Sequence, residues 1–234
     1  MLPRMLIGTA QLHETKGDTM TAHARLVSRP LAAAAAVATV TAAIGVGAPF
    51  ASAATEGAIT SPFPAFVADH GHFRSFEAAD PAVQLFPGDI NDRGTIVGEY
   101  LAADRESGFR RDAGGQITRI DLPGAAGTQV DKINDRGEIV GDDSRTARFL
   151  PGDGSRGYLL SSGGTITRII VPEARMTVPH GVNDRDQVTG LYVDAASKSH
   201  GFLWAHDRFT TIEVPGAKFT EPNAINNRGQ IVGI

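Results

Sequence analysis

Apolar and polar positions alternate strictly in three short segments of the chain. In ITRIDLP, from Ile117, the residues Thr118, Ile120 and Leu122 share one face while Arg119 and Asp121 occupy the other. ITRIIVP from Ile166 repeats the arrangement with Thr167, Ile169 and Val171, and FTTIEVP from Phe209 with Thr210, Ile212 and Val214. A period of two with β-branched enrichment predicts a strand with one buried face. Pro123, Pro172 and Pro215 end these strands by removing a ladder donor. FRSFEA at Phe73 is a weaker version of the same segment.

The alternating segments belong to a longer repeat. INDRGTIVG at Ile90 returns as INDRGEIVG at Ile133, VNDRDQVTG at Val182 and INNRGQIVG at Ile225, so Asn91, Asn134, Asn183 and Asn226 are spaced by 43, 49 and 43 residues. The aromatic residues Phe66, Phe109, Tyr158 and Phe202 lie 25, 25, 25 and 24 residues ahead of them, three directly after glycine. Each unit then reads as a short strand at the aromatic, the alternating strand, a third strand ending before the Asn, and Ile-Val-Gly as the fourth. The expected fold is all-β: tandem four-stranded antiparallel repeats, β-propeller-like, with about four blades forming a ring of their own or part of a larger one. An open β-solenoid stack is the alternative. Units fall near residues 63–100, 101–143, 144–192 and 193–234, in a single domain over 63–234. The extra length of the 49-residue spacing sits in DDSRTARFLPGDGSR at Asp142.

The segment SHGFLWAHDRFTTIEVPGAKFTEPNAINNRGQIVG, from Ser199 to Gly233, resembles a full copy of the probable extracellular repeat of the HAF family, and the likeness extends over roughly residues 63–234. Ser107 and Arg156 stand where the last copy has His200, and Asp186 replaces the motif glycine. The resemblance implies export and tandem repetition. It implies no established reaction, and no catalytic residue carries over from it.

The N-terminus supports export independently. LAAAAAVATVTAAIGVGA, from Leu31 to Ala48, follows Arg25 and Arg29 and precedes Pro49 and Ala51-Ser52-Ala53. Basic flank, apolar run and small-residue site predict a secretory signal over residues 1–53 cleaved after about Ala53, with 54–62 as a short linker. Residues 1–19 read as a mis-start extension and Met20 as the true start. If the segment were retained it would be the chain's membrane attachment. The formal charge is −4, and residues 1–53 hold more cations than anions, so the remainder is more acidic still. That balance, without a basic stripe, excludes nucleic acid as the expected partner. With 0 cysteines, disulfide frameworks, thiolate metal sites and cysteine nucleophiles are ruled out.

The Asn-Asp-Arg-Gly tetrapeptide reads first as a turn: Asn91, Asn134, Asn183 and Asn226 open it, and Gly94, Gly137 and Gly229 take a positive φ at its fourth position, where Asp186 stands in the third copy. As a calcium loop each motif would offer too few oxygens beside a repelling Arg, so calcium is a minor alternative to no cofactor. The histidines show no zinc-site spacing, and His200 reads as a packing and hydrogen-bonding residue. No nucleophile elbow, phosphate loop or dinucleotide fingerprint occurs, so no catalytic residue is assigned. The long loop is the one feature that breaks the period, and Asp142, Asp143, Arg145, Asp153 and Arg156 are the candidate binding residues there. The expectation is a secreted, non-catalytic repeat protein that presents loops to an extracellular protein or cell-envelope polysaccharide. The alternative is a glycan-active propeller enzyme using paired carboxylates.

Overall fold

The computed structural model describes residues 64–145 and 154–234. The expected signal and its cleavage site, the whole linker and Asp153 lie outside these. Among the described residues every regular element is a strand, in antiparallel sheets that follow one another along the chain. The first sheet holds β1 (Ala65–Asp69) and β2 (His72–Phe76). The second holds β3 (Gln84–Ile90), β4 (Ile96–Leu101), β5 (Glu106–Arg111) and β6 (Ile117–Ile120) in that order. In the third, β7 (Gly127–Thr128) and β8 (Lys132–Ile133) together take the first place, followed by β9 (Ile139–Ser144), β10 (Arg156–Leu160) and β11 (Ile166–Ile169). The fourth holds β12 (Met176–Val182), β13 (Val188–Val193), β14 (Ser199–Ala205) and β15 (Arg208–Ile212). The last sheet is the pair β16 (Pro222–Ile225) and β17 (Ile231–Gly233).

The sheets run out of phase with units drawn on the sequence markers. Each complete sheet begins with the strand before the Asn turn and ends with the Thr-x-Ile strand, so a unit starting at the aromatic is divided between two sheets. The reason is that the Asn turn is a tight hairpin, which binds its two flanking strands to each other. The connection after Pro123, Pro172 or Pro215 instead leads to a new sheet.

The register between the Ile-Val-Gly strand and the aromatic strand is the same in every complete sheet. Gly98 faces Phe109, Gly141 faces Tyr158 and Gly190 faces Phe202. All three rings are buried. The missing side chain lets the leading strand come close on the other side: a Cβ on Gly98, Gly141 or Gly190 would lie 2.1 Å from Phe86 O, Gln129 O or Val178 O. The core is distributed between neighbouring sheets. One cluster joins Ala65 and Phe76 to Leu85, Ile96 and Phe109; another joins Val97 to Val130, Ile133 and Ile139; a third joins Val140, Leu159 and Ile169 to Val182, Val188, Phe202 and Trp204. Each sheet therefore depends on the next for burial.

Candidate functional site

The four Asn turns carry polar groups that recur in every repeat. Asn91 N–H bonds Thr95 O at 3.1 Å and Gly94 N–H bonds Asn91 O at 2.9 Å, closing the hairpin. Asn91 Oδ1 accepts from Arg93 N at 3.1 Å and Thr95 N at 3.0 Å. Asn134, Asn183 and Asn226 repeat this double acceptance. Gly94, Gly137 and Gly229 have φ of 75°, 85° and 83°, and Asp186 takes the same region at 57°.

The side-chain amides add something that the turn reading did not contain. Asn91 Nδ2 donates to Asn134 O at 3.0 Å, Asn134 Nδ2 to Asn183 O at 3.0 Å, and Asn183 Nδ2 to Asn226 O at 2.9 Å. Beside this ladder runs a second: Asp92 N donates to Asp135 Oδ1, Asp135 N to Asp184 Oδ1, and Asp184 N to Asn227 Oδ1. The Asp135 and Asp184 carboxylates, which a cation would have needed, are thus accepting amide protons from the preceding sheet. Among the described residues no three His, Cys, Asp or Glu side chains form a metal-holding group.

The loop carboxylates lie elsewhere than expected. Asp142 and Asp143 are buried in β9, which runs on through Ser144 and pairs on both edges, so they are not solvated loop residues. Asp143 takes Arg156 Nη2 at 2.8 Å and Nε at 3.1 Å, with Arg168 Nη1 at 3.0 Å, which balances its buried charge. Arg156 is therefore committed to Asp143, and Arg145 is exposed at the edge of the described residues. The equivalent place in the fourth sheet is held by His200, with Nε2 3.0 Å from Asp194 Oδ2 and Nδ1 2.8 Å from Glu213 Oε1, its ring stacked on Tyr192. Hydrogen bonding to His200 holds both carboxyls below their ordinary range.

A different set of residues forms the candidate site. The leading strand of each sheet is irregular three residues before its Asn. The register shifts between Pro87 and Asp89, between Pro179 and Gly181, and between Pro222 and Ala224. In the third sheet Asp131 N bonds Val140 O although Lys132 is the partner of Val140, the same two-against-one count. The extra residues are Gly88, Asp131, His180 and Asn223. A bulge redirects a side chain away from the alternation of its strand. Four aligned bulges on consecutive leading strands so carry four different groups.

Around them the polar neighbours converge. Lys132 Nζ is 4.0 Å from Asp89 Oδ1, and Ile133 N donates to Asp89 Oδ2 at 3.0 Å. Gln129 Nε2 lies 3.4 Å from Glu99 Oε1, and the Tyr158 hydroxyl donates to Gln129 O at 2.8 Å. Burial, reinforced by the nearby acids Asp131, Asp142 and Asp143, keeps that phenol neutral. His180 Nδ1 lies 3.3 Å from Pro222 O and 3.7 Å from Glu221 Oε1. Asp131 Oδ2 is buried without a hydrogen-bond partner. Burial and then Glu99 push its carboxyl up to about 7, against the opposing pull of Lys132. Burial lowers His180 from the usual imidazole range, with Lys132 adding to the effect and Glu221 and the Pro222 carbonyl opposing it. Lys132 therefore acts on both groups. The row sets the Asp131 carboxyl, held up to about 7, among further donors and acceptors, while Asp89, Lys132, His180 and Glu221 each keep between 19% and 37% of their side chain accessible. Nothing in the sequence marks it, since the positions just after the bulges, Asp89, Lys132, Gly181 and Ala224, vary as freely.

No known protein family matches the chain, and no curated protein matches it. Two solved structures of virginiamycin B lyase from Staphylococcus aureus are similar. The catalytically inactive variant with quinupristin is 14% identical with a TM-score of 0.42, over 68% of this chain and 58% of that one. The selenomethionine-substituted protein is 14% identical with a TM-score of 0.38, over 63% and 55%. The chain thus spans little more than half the length of these proteins, and a likeness of this degree carries no functional argument.

Proposed function

We propose that the protein is an exported, HAF-type, propeller-like repeat protein that binds a hydroxyl-rich polymer, such as a cell-envelope polysaccharide, on the bulged face of its leading strands. The observation that carries this reading is the contrast between repeated and unrepeated polar groups. The Asn and Asp side chains that recur in the turns are occupied by bonds between sheets. At the bulges, Gly88, Asp131, His180 and Asn223 occupy one place in the fold with four different chemistries. A fold requirement would have repeated there. Carboxyl, imidazole and amide groups are suited to saccharide hydroxyls, and the partial burial of Asp131 and His180 favours a ligand that desolvates them. Titrating the full chain with purified cell-wall polysaccharides by calorimetry tests the reading: Asp131→Asn and His180→Ala each weaken binding about tenfold, as loss of a buried polar contact would. Affinity unchanged in both variants would sink it.

A second reading rests on one specific observation, the Asp131 carboxyl held near neutrality beside Glu99. A carboxyl so poised is a proton donor suited to glycoside cleavage. Release of reducing ends from the bound polymer, abolished by Asp131→Asn, would replace binding with catalysis.

A further inference from the structure

The bulged face holds a carboxyl oxygen that the protein itself does not satisfy. Asp131 Oδ2 is shut away from solvent and meets no hydrogen-bond donor. The donors around it are engaged with other acceptors: Lys132 Nζ lies 4.0 Å from Asp89 Oδ1, Gln129 Nε2 is 3.4 Å from Glu99 Oε1, and the Tyr158 hydroxyl donates to Gln129 O at 2.8 Å. Charge shows the same imbalance. Asp89, Glu99, Asp131 and Glu221 gather about the bulges with the Lys132 ammonium and the His180 imidazole, whose hold on a proton is weakened by burial. Glu99 opposes the ionisation of Asp131, and Lys132 does not offset it. What Asp131 and Glu99 lack between them is a cation that also donates hydrogen bonds. Among the described residues no three acids or histidines are placed to hold a metal ion, whereas an ammonium needs only separately placed acceptors.

Gly88 leaves a way in. Of the four bulge residues it alone has no side chain, and it is exposed. A Cβ there would come to 3.5 Å from Asp131 O and 3.8 Å from Gly98 Cα and Val97 O, all ordinary contact distances. Its φ lies outside the left-handed region. By contrast, a Cβ on Gly98, Gly141, Gly190 or Gly233 would stand 2.1 Å from a carbonyl oxygen. Neither backbone conformation nor packing therefore calls for glycine at position 88. Its missing side chain leaves an exposed gap directly against Asp131.

We propose that this gap receives the free amino group of a hexosamine unit, so that the polymer recognised is an amino-sugar polymer whose ammonium sits against the Asp131 carboxyl. The inference rests on the binding reading above and names the ligand class for the same face. Three N–H donors on one nitrogen can serve the unpartnered Asp131 oxygen and a neighbouring carboxylate together, as charge-assisted bonds. A sugar hydroxyl at the same place would satisfy the oxygen but leave Asp131 and Glu99 repelling each other. N-acetylation would remove the charge and enlarge the group that has to enter beside Gly88. Orphan carboxyl and exposed gap are separate observations, and a small cationic donor answers both.

Calorimetric titration of the full chain with a glucosamine oligomer, its fully N-acetylated counterpart, a glucose oligomer of the same linkage and polylysine tests this. The glucosamine oligomer should bind about tenfold more tightly than the other two saccharides, as a charge-assisted bond to a buried carboxylate would give. Asp131→Asn, which keeps the shape of the side chain without its charge, should cancel that preference. Gly88→Leu should fill the gap and weaken the glucosamine oligomer about tenfold with an unchanged melting temperature. If Gly88→Leu lowers the melting temperature, the loss of preference in Asp131→Asn decides the matter by itself. Equal affinity for the three saccharides overturns the amino-sugar inference while leaving the bulged face a polysaccharide site. Absence of binding to all three overturns it too, and the titration with cell-wall polysaccharides then judges the wider reading separately. Polylysine bound as tightly as the glucosamine oligomer also overturns it, because the ammonium recognised would then belong to a peptide.

Discussion

Asp131 shows how a single residue can couple the fold to pH. Its carboxyl holds a proton up to about 7, while in the unfolded chain the same group releases it near the ordinary 3.8. Between those values the native state binds more protons than the unfolded state, so this group lowers stability as pH rises from about 4 to about 7. His180 works from the other side: its folded affinity for the proton is below that of an ordinary imidazole at 6.5, so stability is lost as pH falls below that value. The two slopes oppose each other in the mildly acidic range. Denaturant midpoints measured across pH 4 to 8 should rise in Asp131→Asn relative to the parent, most of all at pH 8, where the parent keeps an ionised buried carboxylate. A parallel pH profile in the two proteins would mean that Asp131 ionises as freely as a surface acid. The sequence offered no warning of this residue. Asp131 lies three positions before Asn134 in an unremarkable Val-Asp-Lys segment, whereas the acids after Gly141 stand at the break in the period. A bulge is a property of two paired strands, and burial a property of the neighbouring sheet, so neither is written in the local pattern.

Elements were more legible than sites, and the turn motif shows where the reading was sufficient and where it stopped. Alternation in ITRIDLP and its relatives located β6, β11 and β15, and the Asn-Asp-Arg-Gly pattern located the hairpins between leading strands and their neighbours. Both are local, set by side-chain period and backbone geometry. Phase was not local: which strand begins a sheet depends on whether the chain turns back or crosses to a new layer, and two markers at fixed spacing are compatible with either. The Asn side chain belongs to both levels. Its oxygen is spent on its own turn and its amide on the next sheet, except in Asn226. Replacing Asn134 by Ala removes two acceptances in its own turn, the bond to Glu138 Oε2 and the bond to Asn183 O, a loss of about 4 kcal/mol at the usual 1 kcal/mol or so per bond. Asn226→Ala removes the same turn bonds at an exposed position with no crossing bond, and should cost less than half as much. Urea melts of the two variants check this. Equal losses would reduce the ladder to a decoration of the turns.

At the scale of the whole molecule, stability is passed from sheet to sheet. Every hydrophobic cluster bridges two successive sheets, from the first to the fourth, and the ladder bonds cross successive boundaries from the second sheet to the fifth in one direction. A structure in which each layer depends on its neighbours behaves nearly as a one-dimensional array, and its end layers, with one neighbour rather than two, open at lower free energy than its middle. The two-stranded end sheets add a second weakness, since a lone hairpin is marginal in water. Amide exchange on the dilute, monomeric protein should therefore be graded. The amides of Val140, Leu159 and Val188, in the third and fourth sheets, should persist longest, and those of Val67, Ala68 and Val232 should exchange first by a factor of 100 or so, about 3 kcal/mol of local opening. Uniform protection from Ala65 to Gly233 at that dilution would mean that the ends are already closed by partners within the chain, and that its cooperativity is that of a ring instead of an array.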